Sequence, residues 1–498
     1  MSNLDIVLVK PGSQKQLYGE LSSLRLTAIE PPLWGALLAA YLRVKNYSVA
    51  LFDAEVENWD YRETAEKIRE ANPRLAVITV SGTNPSASTM NMTGAGIILK
   101  HLREIAPKIK TVLAGLHPSA LPERTLMEEQ VDFVCQGEGF FTLPGLLDAM
   151  QSRQENYAIP GRWYRKNDYP ASNPPPPPYK NLDELPMPAW NLLPMEKYRA
   201  HNWHCFDRID KRAPYAVIYT SLGCPFRCSF CCINALFGRP GIRYRDPKLV
   251  IEEIDYLVHT YNVTNIKIID EMFALNSDHV IRLCDLIIER GYNLNMWVYA
   301  RVNTVNQRML RKMKQAGINW VAYGFESGSN RVLKAVSKGY DAKIVNKVVR
   351  MTYDEGLCIC ANFIFGLPDD NYDSMQATLD LALEVNAEWA NFYAAMAYPG
   401  SRLYGQSIKK GWPLPETWQG YSQYAYETFP LPTKYLSGPE VLSFRDYAFN
   451  VYFNNPRFME KITKKFGSDT ADHIRKMCTT QLERKYISQS VKPPRNCT

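Results

Sequence analysis

Two successive series of short β-branched runs, each alternating with amphipathic helical stretches, restrict this chain to a small set of architectures. In the first series the strand candidates are Asp5–Val9, Ser48–Phe52, Leu75–Val80, Thr111–Ala114 and Val131–Cys135, with helical stretches such as Leu33–Val44 and Arg62–Glu70 between them. Regular alternation predicts a parallel, doubly wound α/β sheet, because parallel neighbours need a crossover to join them. The second series runs from 214 to about 404, with strands at Tyr215–Ser221, Asn265–Asp270, Asn295–Arg301, Trp320–Phe325, Ile359–Phe365 and Asn391–Ala395. Helices at Lys248–Tyr261, Asp278–Arg290, Gln307–Ala316, Ala342–Glu355 and Ser374–Val385 separate them, which is the pattern of a partial (βα)6 barrel. Pro170 and the run Pro174–Pro178 favour an extended spacer between the two. The expected organisation is an α/β domain over 1–150, a Pro-rich linker over 151–213, the barrel over 214–404, and a mainly helical, aromatic-rich region over 405–498. In that last region Ser437 and Glu440 form a capping box that opens a helix bearing Tyr447, Phe449, Tyr452 and Phe453.

A length of 498 residues supports two or three cores, and 46% hydrophobic with 22% charged residues is ordinary for a globular protein. The net charge of +7 is spread thinly with no basic run, which argues against nucleic acid as a partner. The longest apolar stretch, near Leu33–Leu42, is too short to span a bilayer, and the first thirty residues lack a signal-peptide pattern. Eleven cysteines, an odd number without a secretion signal, predict reduced thiols and a cytoplasmic location.

Chemistry concentrates in the run Ser-Leu-Gly-Cys-Pro-Phe-Arg-Cys-Ser-Phe-Cys-Cys, which follows the strand-like residues 216–220 and contains Cys224, Cys228 and Cys231. A four-iron cluster has four iron corners, so three thiolates leave one corner for a substrate or cofactor. Zinc is the alternative, but it prefers four closed ligands, and no second pair of Cys or His sits nearby at suitable spacing. Cys232 points away from its neighbour and reads as packing. Cys358 and Cys360, two apart on a strand, read as core residues on one face.

The C-x3-C-x2-C spacing resembles the defining motif of the radical S-adenosylmethionine (SAM) enzymes. The resemblance implies a [4Fe–4S] cluster whose open iron chelates the amino and carboxylate groups of SAM. It places SAM against Phe230, Asp270, Arg301, Glu326 and Ser327, with the string 324–328 along the ribose and Glu326 near its hydroxyls. An arginine at the third strand end also suits a carboxylate on chemical grounds, since a guanidinium meets it with two hydrogen bonds. The plainer readings are a surface salt bridge for Arg301 and a helix-dipole acid for Glu326.

The first domain lacks the dinucleotide fingerprint G-x-G-x-x-G after its first strand. It resembles the cobalamin-binding module fused to many radical SAM enzymes, through 31–40, Ala114-Gly-Leu-His-Pro118 and Gly137-Glu-Gly139. Ligands of such sheets bind at the carboxyl ends of the strands. The implied cobalamin contacts are Pro11, Ser81, Gly82, Thr83, Gly115, Leu116, His117, Gly137, Glu138 and Gly139. The string D-x-H-x-x-G that supplies a lower axial histidine is missing, and His117 is read as orienting its loop. The family implies a small-molecule substrate, an electron donor such as flavodoxin or ferredoxin, and methylation of an unactivated carbon. Oxidative cyclisation of a porphyrin-like intermediate, and a non-catalytic redox sensor, stay open as alternatives.

Overall fold

A computed structural model describes residues 4–12, 17–24, 26–82, 88–152 and 158–487. Its first sheet has seven strands: β1 (Ile6–Lys10), β2 (Val49–Asp53), β3 (Leu75–Val80), β4 (Lys110–Gly115), β5 (Phe133–Cys135), β6 (Arg162–Lys166) and β7 (Tyr169–Ser172), in the order β2-β1-β3-β4-β5-β6-β7. β1 and β3 are apolar almost throughout and buried along their length, as strands covered on both faces must be. β1 pairs in parallel with β2 on one side and β3 on the other, so the strand order reverses there. A doubly wound sheet opens a crevice at such a reversal, here between the ends of β1 and β3 that lead into Pro11 and Ser81.

The linker expected over 151–213 needs correction. β6 runs antiparallel to β5 and β7 antiparallel to β6, so residues 162–172 belong to the first sheet. The end of that segment is core as well. Trp203 stands edge-on to Trp297 and Trp320, and Phe206 packs on Trp320, Trp389 and Phe466. These tryptophans lie in the first half of their strands, so 203–206 plugs the amino-terminal end of the barrel. Phe206→Ala is expected to lower stability by about 3–5 kcal/mol, read from the urea midpoint, because the surrounding rings cannot close the gap.

The second sheet comprises β8 (Tyr215–Ile218), β11 (Asn265–Ile268), β12 (Asn295–Ala300), β13 (Ile318–Glu326), β14 (Cys358–Phe365) and β15 (Trp389–Ala394), all parallel and in sequential order. Helices Pro247–Tyr261, Ser277–Arg290, Gln307–Gln315, Ile344–Asp354 and Tyr372–Val385 make the crossovers. β8 stops at Ile218, short of the expected Ser221. Beyond it β9 (Ser221–Leu222) turns aside to pair with β10 (Arg243–Tyr244). The barrel is open, with β8 and β15 at its two edges. Gln423 covers the β15 edge: its side-chain Oε1 accepts from Ala394 N at 2.9 Å and its Nε2 donates to Ala394 O at 3.0 Å. The Gly438–Phe453 helix, opened by the expected Ser437/Glu440 capping box, packs over β15, and Tyr452 donates to Ala387 O at 2.6 Å. Helices Pro456–Phe466 and Ser468–Cys478 complete the carboxyl-terminal region, and among the described residues no helix is long and apolar enough to cross a membrane.

Two fully buried histidines, His117 and His204, give the fold an acid-sensitive side. Burial, the largest influence on each, holds both imidazoles down to about 3. The unfolded chain takes up these protons near pH 6.5 and the folded one refuses them, so stability is intact above 6.5 and falls as the pH drops below it. At pH 5.5 each is expected to remove about 1.4 kcal/mol, visible as a lower urea midpoint than at pH 7.5.

Candidate active site

The loop after β9 carries Cys224, Cys228 and Cys231, and its backbone is held from several sides. Gly223 has φ +95°, and a Cβ there would stand 2.5 Å from Gly241 O, so only glycine allows the turn. Glu271 Oε2 accepts from Gly223 N at 2.8 Å, Cys224 O accepts from Gly241 N at 3.2 Å, and Ser229 N donates to Val336 O at 3.0 Å. Leu403 N donates to Ser229 O at 2.8 Å, so the segments before β10 and after β11, β13 and β15 all fix the loop. The three cysteines are part-exposed, whereas Cys232 is buried among Leu116, Leu222 and Phe237. Burial pushes the thiols of Cys224 and Cys231 up to about 11 and 12. An iron ion would have to drive those protons off, which is how thiolate ligation normally proceeds. Among the described residues no three His, Cys, Asp or Glu side chains gather about a single metal ion. A four-iron cluster asks for less crowding, since each thiolate meets a different corner.

A cavity of about 940 Å³ opens at this loop, and all three cysteines line it. Phe230, Arg301 and Glu326, three of the expected SAM contacts, line it too. Arg301 lies over the Phe226 ring at 3.7 Å, with Nη1 3.7 Å from Cys228 Sγ and Nη2 donating to Lys338 O. A bulge at the end of β13 puts Glu326 at φ +61° and turns its carboxylate onto Lys338 Nζ. Gly324 makes room for that pair, because a Cβ there would stand 2.4 Å from Glu326 Oε1. Gly324→Ala is therefore expected to cut SAM affinity about tenfold while leaving iron content unchanged, measured by equilibrium dialysis.

The other two expected SAM contacts need correction. Asp270 is fully buried and accepts from Thr220 N at 2.7 Å, Thr220 Oγ1 at 2.5 Å and Ser221 Oγ at 2.6 Å, so it fastens β11 to the start of the loop. Ser327, also fully buried, shares a hydrogen bond with Thr378 Oγ1 at 3.1 Å and accepts from Ser329 N at 3.1 Å. Neither lines the cavity. Of the adjacent acids Asp270 and Glu271 it is Glu271 that reaches the cavity, and burial raises its carboxyl to about 7. Cys358 and Cys360 are both buried, as expected of core residues, and Cys360 also forms part of the cavity wall.

A smaller cleft of about 90 Å³ adjoins the cavity and shares Leu17, Tyr18, Gly82, Ile233 and Glu271 with it. Of the expected cobalamin contacts, Pro11, Ser81, Gly82, Gly115 and Leu116 line this cleft. Gly115 has φ +121°, and a Cβ there would stand 2.3 Å from Val80 O, so only glycine lets the two strand ends lie this close. Ser88 Oγ and Asn91 Oδ1, missed in the sequence, also line the cleft and are buried with no hydrogen-bond partner among the described residues. Orphaned polar atoms beside a wall of small residues fit a polar cofactor lying across the strand ends. His117 does not reach the cleft. Its ring stands 4.5 Å from Trp418 and its Nδ1 is 3.2 Å from Thr89 Oγ1, so it braces the loop instead. Glu138 is used as a clamp between the first sheet and the β9–β10 pair, accepting from Arg243 Nη2 at 2.7 Å and Tyr179 N at 2.5 Å. Gly137 and Gly139 lie off the cleft, and Thr83 falls outside the described residues.

The comparisons follow this division of the chain. The Radical SAM superfamily pattern matches residues 218–382, and the B12 binding domain pattern matches 24–147. An uncharacterized methyltransferase of Pyrococcus horikoshii is 32% identical over 393 residues, covering 79% of this chain and 82% of the relative. The anaerobic magnesium-protoporphyrin IX monomethyl ester cyclase of Rubrivivax gelatinosus is 28% identical, covering 75% of this chain and 66% of the relative. In fold, the radical SAM methyltransferase TsrM of Kitasatospora setae superposes with a TM-score of 0.67 at 16% identity, covering 96% of this chain and 99% of that one. The cobalamin-dependent SAM radical enzyme OxsB gives 0.69 at 15% identity, covering 96% and 72%. The chain belongs to the radical SAM superfamily, in the branch that carries a B12 binding domain. A [4Fe–4S] cluster, SAM and cobalamin are the cofactors of that branch.

Proposed function

We propose that this protein is a cobalamin-dependent radical SAM methyltransferase acting on an unactivated carbon of a small molecule. The observation that carries the reading is the junction of the two spaces: the cavity at the three thiols and the cleft at the β1/β3 reversal share a wall. When bound, the cluster and SAM supply a carbon-centred radical and cobalamin supplies a methyl group, chemistry that no side chain provides.

The chain's own part is holding and shielding. Cys224, Cys228 and Cys231 would hold the cluster. Arg301, with Nη1 beside Cys228 Sγ, would offset the negative charge of the thiolates and could pair with a carboxylate of SAM. Glu326, oriented by Lys338, meets ribose hydroxyls. Glu271, between the two spaces, holds the cysteine loop by Gly223 N. Pro11, Ser81, Gly82, Gly115 and Leu116, with Ser88 and Asn91, receive cobalamin, while aromatic walls exclude water. In this reading 1–150 binds cobalamin, 214–404 holds cluster and SAM, 405–498 closes the substrate side, and a small cytoplasmic protein such as flavodoxin or ferredoxin is the reductant.

Cyclase relatives support a second outcome from the same site, loss of hydrogens instead of gain of a methyl. Anaerobic turnover with reductant and SAM separates them. Methylation gives a product heavier by one methyl with S-adenosylhomocysteine formed; cyclisation gives a lighter product and none. Absence of 5′-deoxyadenosine with any substrate would overturn both.

A further inference from the structure

The cavity at the cysteine loop carries a second charged group, which the reading above leaves unused. Arg445, on the Gly438–Phe453 helix, donates from Nε to Phe392 O at 2.8 Å and from Nη1 to Asp446 Oδ1 at 2.7 Å. Arg484 approaches the same carboxylate with Nε and Nη2, both at 3.1 Å. Its Nη1 is spent on Gln423 O, Ala425 O and Thr428 Oγ1, at 2.9, 3.3 and 3.0 Å. All three side chains line the cavity, beside Tyr393, Tyr424 and Phe449.

Two guanidinium ions therefore share one carboxylate. Among the described residues no other carboxylate lies within ion-pair distance of either arginine. Arg445 is only 3% exposed, so the excess positive charge sits in a largely dry, aromatic-walled space. Such a charge is unfavourable until an anion joins it. Arg445 Nη2 has no partner among the described residues and is the donor left over. This cation shares the cavity with the expected SAM contacts but is anchored on a different strand. Arg445 is anchored on β15 and the cysteine loop follows β8, the two opposite edges of the six-stranded sheet. The expected SAM contacts lie with the loop, where Arg301 already supplies a guanidinium.

We propose that Arg445, backed by Arg484, anchors the substrate by a carboxylate, and that the substrate presents an apolar, aromatic-sized body to Tyr393, Tyr424 and Phe449. The inference rests on reading this cavity as the substrate chamber. It selects acids over neutral molecules of the same shape, because a neutral ligand leaves the excess charge unmatched. Arg484 has a separate structural duty on the 423–428 backbone, so Arg445 is the residue to vary.

The test uses the full-length, cluster-loaded chain and two probes of one aromatic body, pyrenebutyrate and pyrenebutanol, titrated anaerobically by fluorescence anisotropy. The wild type is expected to bind the acid about tenfold more tightly than the alcohol, as one charge-assisted hydrogen-bonded pair allows. Arg445→Gln should bring the two affinities to within about twofold by weakening the acid alone. Asp446→Asn, which leaves both guanidinium ions unneutralised, should widen the preference, and it decides the matter if Arg445→Gln does not fold. Equal binding of both probes to the wild type would overturn the proposal. So would an equal loss of both probes in folded Arg445→Gln, or an unchanged preference in Asp446→Asn. Weakened SAM binding in Arg445→Gln would reassign the arginine to the cofactor. Acid selectivity without any SAM cleavage would leave the anchor standing and remove the methyltransferase reading. Turnover without acid selectivity would remove the anchor alone.

Discussion

Alanine at any one of Cys224, Cys228 or Cys231 is expected to abolish the brown iron–sulfur chromophore and reduce 5′-deoxyadenosine formation at least a thousandfold. Loss of one ligand removes a cluster corner outright, and the remaining thiols, which burial pushes upward at Cys224 and Cys231, return to the protonated form. The informative control is Cys232→Ala. It sits next to Cys231 but is buried against Leu116, Leu222 and Phe237, so iron content should be unchanged and only stability should fall, by about 1 kcal/mol. Iron per chain and the visible spectrum after anaerobic reconstitution decide between these outcomes. Full chromophore in any of the three alanine variants would contradict the ligand assignment.

The second large effect belongs to a buried ion pair that joins the two sheets. Lys267, on β11 and fully buried, donates to Glu30 Oε1 at 2.9 Å and Oε2 at 3.2 Å, and Tyr215 donates to Oε1 at 3.2 Å. Lys10, at the end of β1, donates to the Glu30 backbone carbonyl at 2.6 Å. Lys267→Met strands a carboxylate in the interior and is expected to cost about 3–5 kcal/mol. Combining it with Glu30→Gln should recover more than half of that loss, because the stranded charge, and not the lost attraction, is the larger penalty. Urea unfolding of the two single variants and the double variant measures the coupling. Strict additivity would show that the pair does not act as a unit.

Much of this architecture was legible from periodicity. The buried β1 and β3 strands read as unbroken apolar runs, and five crossover helices fell where amphipathic stretches stood between strands. The cysteine loop was legible because ligand spacing is a local property of the chain. What escaped depends on contacts between distant segments. Asp270 and Glu271 are adjacent in sequence, and only the hydrogen bonds from Thr220 and Ser221 decide that the first is a fastener and the second faces the cavity. Lys338 comes twelve residues after Glu326 within the same βα connection, with no local pattern to mark it. Ser88 and Asn91 stand in a polar stretch that resembles any loop until the orphaned atoms are seen. The hairpin of residues 162–172 was hidden by its short strands and by the prolines that follow it.

The amide of Gln423 that covers β15 has a consequence for how the chain is made. Every barrel strand ends at or before Ala394 in the chain, yet the residue that seals the last one follows 29 positions later, and the helix above it later still. A chain released before position 423 offers that edge as an open template to neighbouring chains, so truncation between 394 and 423 should favour aggregates over soluble fragments. The carboxyl-terminal region thereby serves as a guard against self-association during synthesis, independent of any part it takes in turnover.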